Sequence, residues 1–226
     1  AEQGIIRSRQ SALYGVQKGQ RFYIYHLLEE LDAPGEWYLD RTTGILYLHP
    51  GPAGPSAKVE ISLLDEPLIR IRGASHIRIE NLHVELGRAR GIVVEDSRNI
   101  SLTSLHIANL GQNGIQITGG QDNLVEGCEI RNMGTGGFSL AGGDPKTQTP
   151  ANHQAINNLI HDFLHVAQGV LINGGRDNRV QHNVFVRCEN AMRGTDLSEA
   201  YKGWAHSSWI TLNKSLTATP IGKSPW

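Results

Sequence analysis

From Pro67 onward, short runs of alternating apolar residues return at a nearly fixed interval. Gly91-Ile-Val-Val, Gly114-Ile-Gln-Ile, Gly137-Phe-Ser-Leu and Gly169-Val-Leu-Ile share one pattern, at spacings of 23, 23 and 32 residues. The last spacing is the same period plus a nine-residue insertion around Lys146 to Gln154. A second set runs alongside: Asn81-Leu-His-Val, Ser104-Leu-His-Ile, Gly127-Cys-Glu-Ile, Asn158-Leu-Ile and Asn183-Val-Phe-Val. Alternation with period two in short β-branched runs predicts strands. Self-similarity at a period in the twenties predicts a solenoid. No apolar stripe at helical spacing and no Leu-x-x-Leu-x-Leu motif occurs in the repeat, which excludes a leucine-rich repeat.

The expected fold is therefore all-β, a right-handed parallel β-helix of about five coils of ~23 residues. Ile77, Ile79, Ile100, Leu102, Ile115 and Ile117 are expected to face inward and stack between coils. Asn81, Ser104, Asn158 and Asn183 suit a stacked turn, because Asn tolerates the left-handed region and can bond along the stack.

The ends depart from the repeat. Residues 1–60 are expected to form an N-terminal cap. His26 to Leu31 predicts a short helix or turn ended by Pro34-Gly35, and Glu36–Asp40 and Ile45–His49 around Arg41-Thr-Thr-Gly44 predict a β-hairpin. Residues 61–193 hold the coils, and residues 194–226 a C-terminal capping tail. In that tail Trp209, Leu212 and Leu216 fall at i, i+3 and i+7, so a short amphipathic helix is expected before Pro220. Open solenoid ends need such covers, because unpaired strand edges recruit other chains.

Charge adds little. The 226 residues carry 21 Lys+Arg against 22 Asp+Glu, a net charge near zero, so no electrostatic attraction to nucleic acid is expected. No run approaches the ~18–20 apolar residues of a membrane-spanning helix, and no membrane insertion is expected. Cys128 and Cys188 fall two coils apart, at least ~9.6 Å, beyond the ~7 Å Cα limit of a disulfide. Both are expected to be free, buried thiols.

Candidate chemistry comes from one turn of the repeat. Gly119-Gly-Gln-Asp122, Gly142-Gly-Asp144 and Gly174-Gly-Arg-Asp177 fall at near-equivalent places in three successive coils, with Asn99 one coil earlier. Neighbours in such a column lie ~4.8 Å apart and alternate members ~9.6 Å. Retaining glycosidases hold their two carboxyls about 5–5.5 Å apart and inverting ones roughly 6.5–9.5 Å. Asp144, Asp177 and Asp122 are the candidate catalytic carboxylates, although Asp in a Gly-Gly-x-Asp turn also serves simply to bond its own backbone. The insertion that opens at Asp144 is the one long loop in the coils, and Lys146, His153, Arg176 and His182 are candidate substrate contacts. His83 and His106, 23 residues apart, are expected to form an outward ladder. His161, His165 and His182 lack the ligand spacing of a zinc site, so no cofactor is expected beyond a weakly indicated Ca²⁺ held by Asp carboxylates and turn carbonyls. Trp37, Tyr38, Tyr201, Trp204, Trp209 and Trp226 lie in the terminal elements and are expected to be cap core.

These residues resemble a family of bacterial right-handed parallel β-helix proteins, some of them glycoside hydrolases of plant or algal polysaccharides. The resemblance runs through Gly35-Glu-Trp-Tyr-Leu-Asp, Gly44-Ile-Leu-Tyr-Leu-His-Pro, Ala141-Gly-Gly-Asp144, Asn157-Asn-Leu-Ile-His-Asp-Phe163 and Gly174-Gly-Arg-Asp-Asn-Arg-Val-Gln-His-Asn-Val-Phe-Val186. Such relatives carry several further acidic coils between the last two segments, where this chain has only Leu164 to Asn173, so it resembles a shortened member. The resemblance implies a secreted or periplasmic carbohydrate-active protein that binds a polysaccharide or oligosaccharide. Glycoside hydrolysis is the leading expectation. A polysaccharide lyase, with a Lys or His base beside a neutralising cation, and a non-catalytic glycan-binding solenoid are the alternatives.

Overall fold

A computed structural model describes residues 26–52, 54–56, 58–144, 146–163, 168–173, 177–186, 190–195, 209–211 and 214–216. Two compact units divide the chain, Ala1–Lys58 with Gly222–Trp226, and Val59–Ile221.

The first unit contains the expected hairpin. β1 (Trp37–Leu39) pairs antiparallel with β2 (Leu46–Leu48). Its turn is made by Asp40, whose Oδ1 accepts the Thr42 N–H (2.8 Å) and whose Oδ2 accepts the Thr43 hydroxyl (2.7 Å). These bonds hold the Asp40 carboxyl below its ordinary pKa, the Thr43 hydroxyl first among them. Glu36 likewise accepts the backbone N–H groups of Asp32 and Ala33. Both acidic residues of the Gly35–Asp40 segment are thus turn-makers. Leu28–Glu30 is a single 3₁₀ turn, as the nearby Pro34-Gly35 requires. Trp37 departs from the expected cap core, because it faces outward from this short two-stranded ribbon and is 60% exposed.

In the second unit the chain winds through three strands per coil. The first coil is β3 (Ile69–Arg72), β4 (Arg78–Glu80) and β5 (His83–Gly87). β6 (Ile92–Glu95), β7 (Ser101–Thr103) and β8 (His106–Leu110) follow, then β9 (Asn113–Thr118), β10 (Leu124–Glu126) and β11 (Glu129–Met133). The fourth coil is β12 (Gly136–Ala141), β13 (Gln154–Ile156) and β14 (Leu159–Phe163). The fifth is β15 (Gln168–Asn173), β16 (Arg179–Gln181) and β17 (Val184–Val186), and β18 (Asn190–Thr195), β19 (Trp209–Thr211) and β20 (Lys214–Leu216) complete a sixth rung. Every third strand pairs in parallel, giving three six-stranded sheets begun by β3, β4 and β5. Six rungs make five full turns from first to last.

Strand pairing thus continues to Leu216. Where helical spacing was expected after residue 194, Trp209–Thr211 and Lys214–Leu216 extend the second and third sheets instead. The preceding rung offers unpaired edge groups all along its length, and in-register pairing satisfies them, which a short helix with its own internal bonds does not. Asn213 stands one residue before β20, as Asn183 stands before β17.

The core is a set of columns inside the coil. Ile92, Ile115, Phe138 and Val170 form one, and Val94, Ile117, Leu140 and Ile172 another; all are buried. Ile100 and Leu102 are buried as expected, while Ile77 and Ile79 on the first rung are covered less. The Gly that opens each of the first two motifs has a steric reason. A Cβ on Gly91 would lie 2.6 Å from the Gly114 carbonyl oxygen, and one on Gly114 would lie 2.8 Å from Ile130 Cγ2.

The pairing corrects two details of spacing. Paired Leu124 and Gln154 are 30 residues apart, so seven inserted residues, not nine, precede β13. Paired Leu159 and Val184 are 25 apart, which places the other two between β14 and β15. The expected Asn column is really two adjacent columns. Asn81, Ser104, Gly127, Asn157 and His182 share the left-handed corner, each with φ between 53° and 62°. Asn158 and Asn183 lie one residue later and face inward, buried. The period is two, so that single step changes the face.

Candidate functional site

The corner before the second sheet carries the sequence-predicted acids. Register places His76, Asn99, Asp122, Asn152 and Asp177 in one column, each two residues before β4, β7, β10, β13 and β16. All five are left-handed, with φ from 51° to 60°. Asp122 and Asp177 are therefore alternate members, ~9.6 Å apart at ~4.8 Å per rung. Asn152 fills the rung between, and its Nδ2 donates to Asp122 Oδ1 (3.1 Å).

Asp144 is not in that column. The insertion diverts the chain before the corner, and Asp144 closes the loop by exchanging backbone bonds with Thr149, both 3.0 Å. Its Oδ1 accepts the Lys146 N–H (2.9 Å). That bond and one from the Thr147 side chain hold its pKa below the ordinary carboxylate value. Asp144 stays ionised at neutral pH and is committed to its own turn, so the expected contiguous ladder of three carboxylates becomes a pair with a neutral rung. Lys146 lies exposed on the same loop. Gln121 Nε2 donates to the Pro150 carbonyl (2.9 Å) and ties the loop to the coil.

His153 does not line a groove. It is fully buried and occupies the rung between Asn123 and Asn178. Its N–H donates to Asn178 Oδ1 (3.1 Å), and its Nδ1 lies 3.4 Å from the Asn123 N–H. Burial pushes its pKa down to about 4, against an upward pull from the Ala141 and Gly119 carbonyls and the Asp122 charge. Among the described residues no atom makes a well-formed hydrogen bond with its buried Nε2. The Gly-Gly pairs belong to the same packing: a Cβ on Gly142 would strike His153 Nε2, and one on Gly120, with φ 68°, would strike the Ser97 carbonyl. His182 is exposed, at the far end of β16 from Asp177. Arg176 and Cys188 lie outside the described residues.

An open cleft of about 330 Å³ on the first three coils is lined by Gly73, Ser75, Asp96, Arg98, Gly120 and Gln121. Ser75, Arg98 and Gln121 are successive rungs there. The floor is backbone and small side chains, and Asp96, Arg98 and Gln121 offer a carboxylate, a guanidinium and an amide. That is a donor and acceptor set suited to hydroxyl groups.

A second polar constellation lies on the outer face of the third sheet. His83 and His106 stack as expected, ring centroids 4.7 Å apart. The next residue of that column is Glu129, whose Oε2 meets His106 Nδ1 at 3.1 Å. Its Oε1 meets His161 Nε2 at 3.2 Å, and His161 Nδ1 meets Asp162 Oδ2 at 2.7 Å. The His161 bond first, and the His106 bond with it, holds the Glu129 carboxyl below its ordinary pKa. His161 was passed over because its partners come from another coil or from the adjacent corner. The usable signal was the 23-residue spacing of His83, His106 and Glu129. Among the described residues, no three His, Cys, Asp or Glu side chains converge as metal ligands do.

A family model described as a right handed beta helix region matches residues 67–214. No curated protein and no solved structure matches the chain.

Proposed function

The chain belongs to the right-handed β-helix family, and from that premise we propose that it is a secreted or periplasmic carbohydrate-active protein of glycoside hydrolase type. Asp122 and Asp177 are its reacting carboxylates. The observation that carries this reading is their shared column: two acids on one rigid face, two rungs apart with a neutral amide between. A separation of ~9.6 Å between rungs lies just beyond the roughly 6.5–9.5 Å that leaves room for an attacking water and far from the ~5–5.5 Å of a retaining pair, so the reaction inverts the anomeric centre. The cleft at Asp96, Arg98 and Gln121 holds the adjoining sugar. Lys146, Arg176 and His182 are the outer contacts. Asp144, already bonded within its own turn, is a local negative charge and not the proton donor.

The test is turnover of a panel of neutral and acidic polysaccharides by the protein and by Asp122→Asn and Asp177→Asn. Each substitution is expected to lower reducing-end release by at least ~100-fold, the scale of one acid–base group. Unchanged turnover in both variants removes the pair as catalysts. One observation favours a second reading. Asn152 already bonds Asp122, as it would in a non-catalytic glycan-binding solenoid, for which binding without any turnover is the expected result.

A further inference from the structure

Two imidazoles stand side by side on the outer face of the third sheet, where the fold asks only for solubility. His83 on β5 and His106 on β8 are in register on adjacent parallel strands, ring centroids 4.7 Å apart. Both are exposed, the His106 side chain by 54%. We propose that this pair binds a borderline divalent transition cation (Cu²⁺, Ni²⁺ or Zn²⁺) and ties the first rung to the second.

His106 is already set for the task. Its Nδ1 lies 3.1 Å from Glu129 Oε2, and an ionised carboxylate can only accept, so Nδ1 carries the hydrogen. Nε2 then keeps its lone pair, and nothing among the described residues hydrogen-bonds it. A metal-binding histidine characteristically donates its other nitrogen to a carboxylate, which fixes the tautomer and raises the ring's basicity. Glu129 is held in turn, its Oε1 meeting His161 Nε2 at 3.2 Å. His161 is not a third donor, because its Nδ1 meets Asp162 Oδ2 at 2.7 Å and both nitrogens are taken.

His83 supplies the second donor. Its ring makes no hydrogen bond among the described residues, so it can turn one nitrogen toward His106 Nε2. Rungs lie ~4.8 Å apart, and two bonds of ~2.0–2.1 Å to one ion span that gap. The 35° between the ring planes shows that they are not packed flat on each other. Glu85, two residues beyond His83 on the same exposed face, adds negative charge, and the short Ala108 opposite it leaves room. Arg131, facing the same way on β11, is partnered by Glu129 at 3.9 Å.

Two protein donors leave the ion's remaining positions to water, so the site is open and exchangeable, unlike a closed four-ligand zinc centre. Imidazole favours these ions over Ca²⁺ and Mg²⁺, which take oxygen ligands. β5 is an edge strand, so an ion bridging it to β8 adds a tie where backbone pairing is one-sided.

The whole chain is titrated with Cu²⁺, the tightest-binding ion of that series, in a non-chelating buffer at neutral pH. A single site is expected, with electron paramagnetic resonance showing two imidazole nitrogens on the copper and no displacement by excess Ca²⁺ or Mg²⁺. Glu129→Gln is expected to weaken binding by ~10-fold with both nitrogens retained, as a positioning residue does. His83→Gln and His106→Gln are each expected to weaken it further and to leave one nitrogen, with circular dichroism unchanged. His26→Gln, in the hairpin unit, is the unchanged control. Bound copper is also expected to raise the urea midpoint of the parent and not of His83→Gln. An affinity that either histidine variant leaves unchanged, a single imidazole in the parent spectrum, or no binding at all overturns the inference.

Discussion

His153 interrupts a ladder of asparagines, and replacing it with the ladder's own residue isolates what burying an imidazole costs. Asn123 shows what the position asks for: its Oδ1 accepts the Ile100 N–H (3.0 Å) and its Nδ2 donates to the Ser97 carbonyl (2.9 Å). In His153→Asn the corresponding partners are the Asn123 N–H and the Gly120 carbonyl. The sign of the pH effect follows from the depressed pKa of about 4 in the folded state against ~6.5 unfolded. Between those values the unfolded chain binds the extra proton, so stability falls as pH falls through the window and is fully present above it. The loss from this one group is ~2 kcal/mol at pH 5 and ~3 kcal/mol at pH 4. At pH 7 the substitution is close to neutral: a better hydrogen bond is worth ~1 kcal/mol, and the vacated ring space costs about as much at ~24 cal/mol per Å³. Urea unfolding of both proteins at pH 7, 6 and 5 is the assay. The asparagine variant is expected to gain ~2 kcal/mol on its parent between pH 7 and 5. A stability difference that stays flat with pH refutes the argument that His153 is buried neutral.

Two further outcomes follow from the same columns. Asn158→Ala removes the acceptor of the Cys128 N–H and the donor to the Val125 carbonyl, and breaks the link to Asn183. Several buried groups lose partners at once, so a loss of ~2–4 kcal/mol is expected in urea unfolding; a change below ~0.5 kcal/mol would show that the ladder is incidental. Cys128 is buried, with its thiol pushed up to about 11 by desolvation. In a Cys188→Ser background it is expected to resist a disulfide-exchange reagent at pH 8 until denaturant is added, and stoichiometric labelling of the native protein contradicts its burial.

The strands and the hairpin were legible along the chain, because each depends on residues within a few positions of one another. Alternation makes a strand wherever it occurs, Asp40 makes its turn with Thr42 and Thr43, and Pro34-Gly35 stops a helix locally. The column of Asp122 and Asp177 was half legible: the letters repeat, but Asn152 takes the rung on which Asp144 was expected.

The sequence by itself determined that there are coils, how long they are and which runs face inward, since the 23-residue period and the two-residue alternation are properties of one strand at a time. Only the tertiary structure decided the register between coils. Register is set by backbone pairing across 22 to 32 residues, and a slip of one exchanges inside for outside. That is why His153 is core and not groove, why Asn158 lies inside its corner, and why Lys214–Leu216 pairs as a strand. It is also why Glu129 meets two histidines from different coils: proximity between rungs is a fact about stacking, which local letters do not encode.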